Sequence, residues 1–335
     1  MRGWRVGLSL LLAVGLLVLF FRGVDWNAMG RALRGAHPLY LCGVVLVTLV
    51  TYAARAWRWG FLLAPLARVP FGRLVSATFI GFMSGLLIPR AGEVVRPYLV
   101  ARDHPVPISA GFASIVLERL VDLITVLLLF ALYLYVLPAP RAQTHGPLLG
   151  VLKVAGTAAG AGALVILGVL LAWHRHADLA MRLADRLLRP FPARFAAAVA
   201  RGVRSFGDGL AVLKASPSHL AAILGQSVVV WLLLAVGIHW NNRAFGLHLP
   251  FHTAFLILAF LTVGVAIPTP GTVGGFHAFY RAALTEAYGV DSDVAAAAGI
   301  ASHALTNLPV LLLGLALLGR EGLTVGKVAN MSEAR

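Results

Sequence analysis

Residues 85–96 read GLLIPRAGEVVR, and residues 267–273 read IPTPGTV. Each stretch follows an apolar arm, 74–89 in the first case and 251–267 in the second. The two stretches share the pattern I-P-x-x-G-x-V, displaced by 179 residues, from position 88 to position 267. Proline removes a backbone N–H and glycine permits unusual dihedral angles, so each pattern predicts a broken or re-entrant helical element. The break residues are Pro89, Gly92, Pro268, Pro270, Gly271 and Gly274.

The composition requires a membrane environment. Of the 335 residues, 59% are hydrophobic and 12% are charged, and the mean hydropathy is +0.86. A soluble domain of this length cannot bury so much apolar surface. The 28 Lys and Arg outnumber the 13 acidic residues, but they lie mainly between apolar runs. This distribution follows the positive-inside rule and predicts a protein of the plasma (inner) membrane without a nucleic-acid partner.

Apolar stretches of about 20 residues can cross a hydrocarbon core of about 30 Å, and they predict an all-α integral membrane protein with about six full transmembrane helices. The predicted crossings lie near 4–21, 38–54, 108–137, 148–172, 219–240 and 294–318. We treat 1–335 as a single polytopic membrane domain, with a first half, 1–147, that breaks at 88–96 and a second half, 148–335, that breaks at 267–277. The two apolar arms then enter from opposite sides, which predicts inverted repeats. The alternative is that a short pattern recurs by chance or only marks turns.

The basic segment 174–218 sets the predicted orientation. It carries eight Lys and Arg against three aspartates, and its apolar residues recur at three- or four-residue spacing. We therefore expect a cytoplasmic amphipathic segment lying on the membrane, with both termini in the cytoplasm and an uncleaved first helix. The arginines of the loop 22–37 conflict with this topology, and an interfacial helix there would soften the conflict.

The first break concentrates charge. A half-helix that starts just after each glycine would aim its positive N-terminal end at the break, which favours phosphate or another anion. Arg90 and Arg96 add full positive charges there. The three-residue spacing lets Glu93 pair locally with Arg96, which would leave Arg96 able to meet a phosphate when lipid arrives. We therefore expect these three residues to form part of a lipid headgroup site.

Three further charges fall within the predicted span 108–137, where ionisable groups are costly. Glu118 and Asp122 lie one helical turn apart, and Arg119 lies between them. They could line the headgroup path or respond to protons. Alternatively, they could pair with Arg58 or with the arginines of the first break and hold the broken helix in place.

Histidines provide a possible proton-linked pair. His277 follows the second break and His303 lies in the last predicted span, so the two could meet as proton carriers or as packed, hydrogen-bonded side chains. No cluster has the spacing of metal ligands, and no motif of a nucleotide-binding or hydrolase site lies in a suitable context. The sequence therefore predicts no metal, no cofactor and no catalytic residue.

Four separated stretches resemble the transmembrane, flippase-like domain of the lysylphosphatidylglycerol synthases. They are RAWR at 55–58, GLLIPRAGEVVR at 85–96, ERLVD at 118–122 and PTPGTVG at 268–274. The resemblance implies a membrane domain with two re-entrant elements and a role in lipid translocation. It also implies that aminoacyl transfer belongs to a separate soluble domain, which we expect this chain to lack. Thr272 and His277 depart from the residues that are common in that family.

We therefore hypothesise a lipid flippase or transporter for an anionic phospholipid or a polyprenyl-linked lipid, with membrane lipids as its partners. A first alternative is a scaffold that presents lipid to a membrane glycosyltransferase or synthase, with 174–214 as the docking face. A second is an enzyme that modifies a lipid headgroup, with Glu93, Glu118 or Asp122 as acid or base.

Overall fold

A computed structural model of the protein describes residues 24–88, 91–137 and 216–323, with scattered positions in 11–21 and 150–200. All regular structure in these ranges is helical, which confirms the all-α prediction. The α-helices, in chain order, are α1 (Trp26–Gly35), α2 (Pro38–Leu63), α3 (Phe71–Leu87), α4 (Gly92–Asp103), α5 (Ile108–Tyr135), α6 (Pro217–Ala244), α7 (Thr253–Ala266), α8 (Gly275–Tyr288) and α9 (Ser292–Arg320), with a 3-10 turn at Pro270–Thr272.

Three described helices are long and apolar enough to cross a membrane, namely α2, α6 and α9. They contain 26, 28 and 29 residues and confirm the helical segments expected at 38–54, 219–240 and 294–318. Helix α5 is as long as α6 and covers the segment expected at 108–137, but its first half contains three charged residues. The remaining two expected crossings, 4–21 and 148–172, lie outside the described residues apart from scattered positions.

Helices α3 and α4 form a hairpin, here the first hairpin, whose two outer ends lie together. Arg73 near the start of α3 pairs with Asp103 at the end of α4. Arg73 and Arg102 also bind the carboxylate of Glu321, just after α9, each at 2.5 Å. We call this part of the molecule the Glu321 end. The chain enters the first hairpin there, breaks after Leu87 and returns to the same end.

Helices α7 and α8 form the second hairpin, whose outer ends lie at the opposite end. The Tyr288 hydroxyl, at the end of α8, donates to the Thr253 carbonyl at 3.4 Å and to the Tyr133 hydroxyl of α5 at 3.0 Å. Helix α5 starts just after Asp103 and reaches this contact after more than 20 residues, so it connects the two ends of the molecule. We call this second region the Asp293 end. The two hairpins therefore enter the molecule from opposite ends.

A pair of glycines sets the closest approach in each hairpin. A Cβ atom on Gly92 would overlap the carbonyl oxygen of Gly81, and a Cβ atom on Gly275 would overlap that of Gly264. In both pairs the glycines are eleven residues apart, and the second pair lies 183 residues after the first (81 to 264, 92 to 275). The structural correspondence is therefore 183 residues and differs by four, about one helical turn, from the spacing of the sequence pattern.

The two breaks consequently differ in length. Helix α3 continues six residues past Gly81, whereas α7 ends two residues past Gly264, so the second break, 267–274, is the longer one. The expectation that a half-helix starts just after Gly271 is wrong, because α8 starts at Gly275. Gly271 and Gly274 instead adopt positive φ angles of 62° and 87° within the break. In the first hairpin α4 starts at Gly92 itself.

Helix α1 occupies the loop that conflicts with the predicted topology. The Asp25 carboxylate caps it by accepting the N–H groups of Asn27 and Ala28, at 2.8 and 3.2 Å. The Asp25 N–H in turn donates to the Asp293 carboxylate at 3.0 Å, which holds α1 at the Asp293 end. A helix is therefore present where we expected one to soften the charge conflict. Most of the segment 174–218 lies outside the described residues, so its amphipathic character stays a prediction.

Two apolar cores hold the hairpins in place. One surrounds the first hairpin and includes Trp59, Ile80 and Leu117, all 3% exposed or less. The other surrounds the second hairpin and includes Leu256 and Tyr280, which are fully buried. Each hairpin is thus packed against long helices, which leaves the two breaks facing the middle of the molecule.

Candidate functional site

An ion pair between Arg58 and Asp122 joins three long helices at their centre. Both terminal guanidinium nitrogens of Arg58, on α2, donate to the Asp122 carboxylate of α5, at 2.6 and 3.1 Å. Arg58 also donates to the Ser227 hydroxyl of α6 at 2.8 Å, and the Trp231 indole donates to Asp122 at 3.0 Å. Because Arg58 and Asp122 are buried, their charges are stable only as a hydrogen-bonded pair.

A second buried ion pair fixes the first hairpin to α5. Arg96 donates to both oxygens of Glu118, at 2.9 and 3.1 Å, and its guanidinium lies 4.4 Å from the centre of the Trp59 ring. The local Glu93–Arg96 pair that we expected is wrong, since both terminal nitrogens of Arg96 are directed to Glu118. Of the two roles considered for Glu118 and Asp122, the structure shows the pairing that holds the broken helix in place.

Arg55 and Arg119 complete the cluster with weaker contacts. A terminal nitrogen of Arg55 lies 3.6 Å from Asp122 and has no hydrogen-bond partner among the described residues. Arg119 lies 3.4 Å from Glu118 and 3.9 Å from Asp122, and its side chain is 43% exposed. Both carboxylates are already occupied by Arg58 and Arg96. We call these six residues the arginine cluster, and its four cations exceed its two anions by two charges.

A cavity of about 380 Å³ lies beside the arginine cluster, between the two hairpins. The first hairpin contributes Gly92, Glu93 and Arg96 to its wall, and the second contributes the start of its break at 265–269. Arg119 also lines the cavity, so the charged residues of the wall, within the described part of the chain, are one acid and two arginines. The two breaks, separated by more than 170 residues in sequence, therefore share one cavity. Pro89 and Arg90 lie outside the described residues.

The two histidines meet at the second break. The rings of His277 and His303 lie 4.4 Å apart between centroids. The Nε2 atom of His303 lies 2.8 Å from the Gly271 carbonyl, and because a carbonyl only accepts, this nitrogen carries the hydrogen. The Nδ1 atom of His277 accepts the Gly274 N–H at 3.3 Å. Both rings thus bind backbone groups that the break leaves free, and their role in proton transfer stays a prediction.

The remaining break residues shape this wall. Pro268 lines the cavity directly, and Pro270 starts the 3-10 turn that precedes the two positive-φ glycines. Thr272 also adopts a positive φ, 57°, which is unusual for a residue with a branched side chain. The second break is therefore a compact irregular loop whose backbone groups are bound by nearby side chains.

The sequence analysis missed several partners of the site. Arg55 was noticed only as part of a motif, although it lies one helical turn from Arg58 and so on the same face of α2. Trp59, Ser227 and Trp231 gave no local signal, because their roles depend on contacts between distant helices. The described residues contain no group of three His, Cys, Asp or Glu side chains placed to hold a metal ion.

Comparison with known proteins agrees with this fold and site. A family model described as the lysylphosphatidylglycerol synthase TM region matches residues 6–314. Among similar proteins is the glycosyltransferase AglD of Haloferax volcanii, which is 25% identical over 92% of this chain and 53% of its own length. The chain thus spans about half the length of that relative. Because the family match covers most of the chain, including both breaks, the protein is a multi-pass membrane protein that belongs to the lysylphosphatidylglycerol synthase transmembrane-region family.

Proposed function

We propose that the protein moves an anionic lipid across the bilayer and holds its headgroup in the cavity between the two hairpins. The observation that carries this proposal is the excess of positive charge in the arginine cluster beside that cavity. An unneutralised charge within a membrane protein is costly and usually marks a functional site. A lipid phosphate would supply the missing negative charge, while its acyl chains stay in the surrounding lipid.

The proposed architecture is a pair of inverted halves, each with a re-entrant hairpin, within about six crossings. The entry of the hairpins from opposite ends supports it, as does the matching pair of glycines in each hairpin. Helix α4 has 12 residues and α8 has 14, so each runs about 18–21 Å inward from its end of the molecule. Half of the hydrocarbon core is about 15 Å thick, so both breaks would lie near the midplane.

In the proposed mechanism Arg119 makes the first contact with phosphate. Arg58 and Arg96 are committed to buried carboxylates, whereas Arg119 has longer contacts and greater exposure. The N-terminal end of α4 also points toward the cavity through Gly92 and adds a favourable dipole. Rocking of one half against the other would then open the cavity to each leaflet in turn.

The orientation follows from the basic segment 174–218, which leads into α6 at the Glu321 end. By the positive-inside rule the Glu321 end would face the cytoplasm, and the Asp293 end would face outward. Both chain termini would then be cytoplasmic, and the membrane would be the plasma (inner) membrane. The first hairpin would enter from the cytoplasmic side.

The proposal is tested in liposomes that contain the purified protein and fluorescent phosphatidylglycerol, by adding a quencher that does not cross the membrane. We expect the protected inner-leaflet fluorescence to decay much faster than in empty liposomes. Arg119→Gln should slow this decay by about tenfold, because one charge-assisted contact is lost. The matched control Arg31→Gln changes an exposed arginine on α1 and should retain the wild-type rate. Equal rates for the two variants would contradict the assigned site.

A second candidate function is presentation of lipid to a membrane glycosyltransferase or synthase. The observation that favours it is the similarity to a protein named as a glycosyltransferase, of which this chain spans about half. In this case the segment 174–214 would dock the partner enzyme. Deleting that segment should abolish co-purification of the partner while phosphatidylglycerol binding is retained, and loss of both would count against docking.

An enzyme that modifies the headgroup is less well supported. Glu118 and Asp122 each accept two hydrogen bonds from a buried arginine and are therefore poorly placed to take a proton. Glu93 lines the cavity and has no ion pair among the described residues, so it is the acid that such a reaction would use. A covalently altered lipid product that disappears with Glu93→Gln would favour this function.

A further inference from the structure

The charge of the cavity is confined to one hairpin. By the 183-residue correspondence, Glu93 and Arg96 of the first hairpin match Phe276 and Phe279 of the second. The correspondence extends to contacts, since a Cβ atom on Gly81 would meet Arg96 and one on Gly264 would meet Phe279. The second half therefore places aromatic rings where the first places charges. The two sides of the cavity are chemically different even though their backbones are arranged alike.

The polar groups of the uncharged wall are short of hydrogen-bond donors. The hydroxyl of Thr272 donates to the Gly271 carbonyl at 2.6 Å, and that of Thr306 donates to the Ser302 carbonyl at 2.7 Å. The amide nitrogen of Asn307 donates to the His303 carbonyl at 3.0 Å. These side chains line the cavity and have used protons on the backbone, so their oxygens remain as acceptors. A ligand that completes this wall must donate hydrogen bonds.

Two kinds of ligand group donate hydrogen bonds in this way, namely hydroxyls and ammonium groups. An ammonium group would add positive charge to a cavity whose wall already carries Arg96 and Arg119 against Glu93, within the described residues. Electrostatic repulsion of this kind is strong where water is excluded. A hydroxyl satisfies the same acceptors without adding charge. The wall therefore favours a hydroxylated, uncharged group.

From these observations, and building on the proposed function, we infer that the headgroup is a single phosphodiester attached to an uncharged polyol, such as glycerol or a hexose. The phosphate lies at the arginine cluster, and the hydroxyls lie against Thr272, Thr306 and Asn307. A volume of about 380 Å³ falls at the lower end of the range of small-molecule pockets, so it fits a headgroup rather than acyl chains. A lysylated headgroup, which carries two ammonium groups, is excluded by the same charges.

The inference is tested by lipid binding, which does not require transport. The protein in nanodiscs is titrated with phosphatidylglycerol, phosphatidic acid, phosphatidylethanolamine, lysylphosphatidylglycerol and a polyprenyl phosphohexose, and bound lipid is counted by native mass spectrometry. We expect phosphatidylglycerol or the polyprenyl phosphohexose to bind at least about fivefold tighter than phosphatidic acid, which has the phosphate without the polyol. The tighter of the two identifies the source of the polyol. Lysylphosphatidylglycerol should bind most weakly.

Asn307→Leu separates the polyol contact from the phosphate contact. It should bring the affinity for the preferred lipid down to that for phosphatidic acid, whose own affinity stays constant. The matched control Asn27→Leu changes an exposed asparagine on α1 and should preserve the preference. Equal weakening of both lipids by Asn307→Leu, preferred binding of either amine-bearing lipid, or equal binding of all five would overturn the inference. Selective polyol binding without lipid movement would instead overturn the proposed transport and leave the inference standing.

Discussion

At the scale of single residues, the arginine cluster is organised as two committed pairs and two partly used cations. The pairs Arg58–Asp122 and Arg96–Glu118 each join different helices through two hydrogen bonds. Removing one partner of such a buried pair leaves an uncompensated charge, which costs more than the intact pair contributes. The pairs therefore fix positions, and the remaining charge is available to a ligand.

Glu118→Gln tests this division. It should lower the free energy of unfolding by about 3–5 kcal/mol, because Arg96 keeps its buried charge without a counter-ion. Thermal unfolding in detergent would show a large drop in melting temperature, whereas Glu286→Gln, at an exposed position of α8, should leave it unchanged. The double variant Glu118→Gln/Arg96→Gln should be less destabilised than the sum of the single variants. Additive losses would mean that the two side chains do not act as a pair.

At the scale of elements, each hairpin depends on a glycine pair that brings its helices into backbone contact. The space between the Gly264 carbonyl and Gly275 cannot hold even a methyl group. Such contacts set the depth at which each break lies, because sliding one helix would bring larger side chains into the crossing. The position of the cavity therefore follows from where these glycines occur in the sequence.

Gly275→Ala should destabilise the second hairpin by about 1–3 kcal/mol, because the added methyl group must displace backbone atoms. The control is Gly225→Ala, in the middle of α6, where a Cβ atom would meet nothing within 4 Å. That substitution should be neutral or slightly stabilising, since alanine favours a helix more than glycine does. Melting temperatures in the same detergent measure both, and an unchanged value for Gly275→Ala would refute the close contact.

The outer ends of the first hairpin are tied to α9 by a charge cluster with a predictable pH dependence. The hydrogen bond from Arg102 holds the pKa of the Asp103 carboxyl below its usual range. Partial burial raises the pKa of Glu321, but hydrogen bonds from Arg102 and Arg73 outweigh it, so this pKa is lowered as well. A carboxylate with a lowered pKa in the folded state stabilises the protein at neutral pH and loses that effect as the pH falls.

Glu321→Gln should therefore lower the melting temperature at pH 7, and the difference from the wild type should shrink as the pH falls below about 4.5, the usual value for this side chain. Melting temperatures of both proteins across pH 7 to pH 3.5 measure the effect. A difference that stays constant over this range would show that the Glu321 charge does not hold the hairpin to α9.

At the scale of the whole molecule, the sequence predicted the helical class, the positions of the long helices and the existence of two breaks. It ended the second apolar segment at 54, whereas α2 continues to Leu63. The reason is that Arg55 and Arg58 look like the end of a membrane segment until the carboxylate of Asp122 on α5 is placed beside them. The partner of Arg96 and the 183-residue correspondence were missed for the same reason, since both depend on packing between helices.

The central claim is that lipid headgroups pass through the cavity between the two hairpins, and filling the cavity tests it most directly. Thr306→Trp places a large ring in the cavity, while Leu308→Trp, two residues further along α9, places the same ring on a side chain position that is 52% exposed. Movement of fluorescent phosphatidylglycerol in liposomes is then compared for the two variants, with melting temperatures to confirm that both are folded. We predict that Thr306→Trp abolishes movement and that Leu308→Trp retains the wild-type rate. Wild-type movement by folded Thr306→Trp protein would contradict the claim.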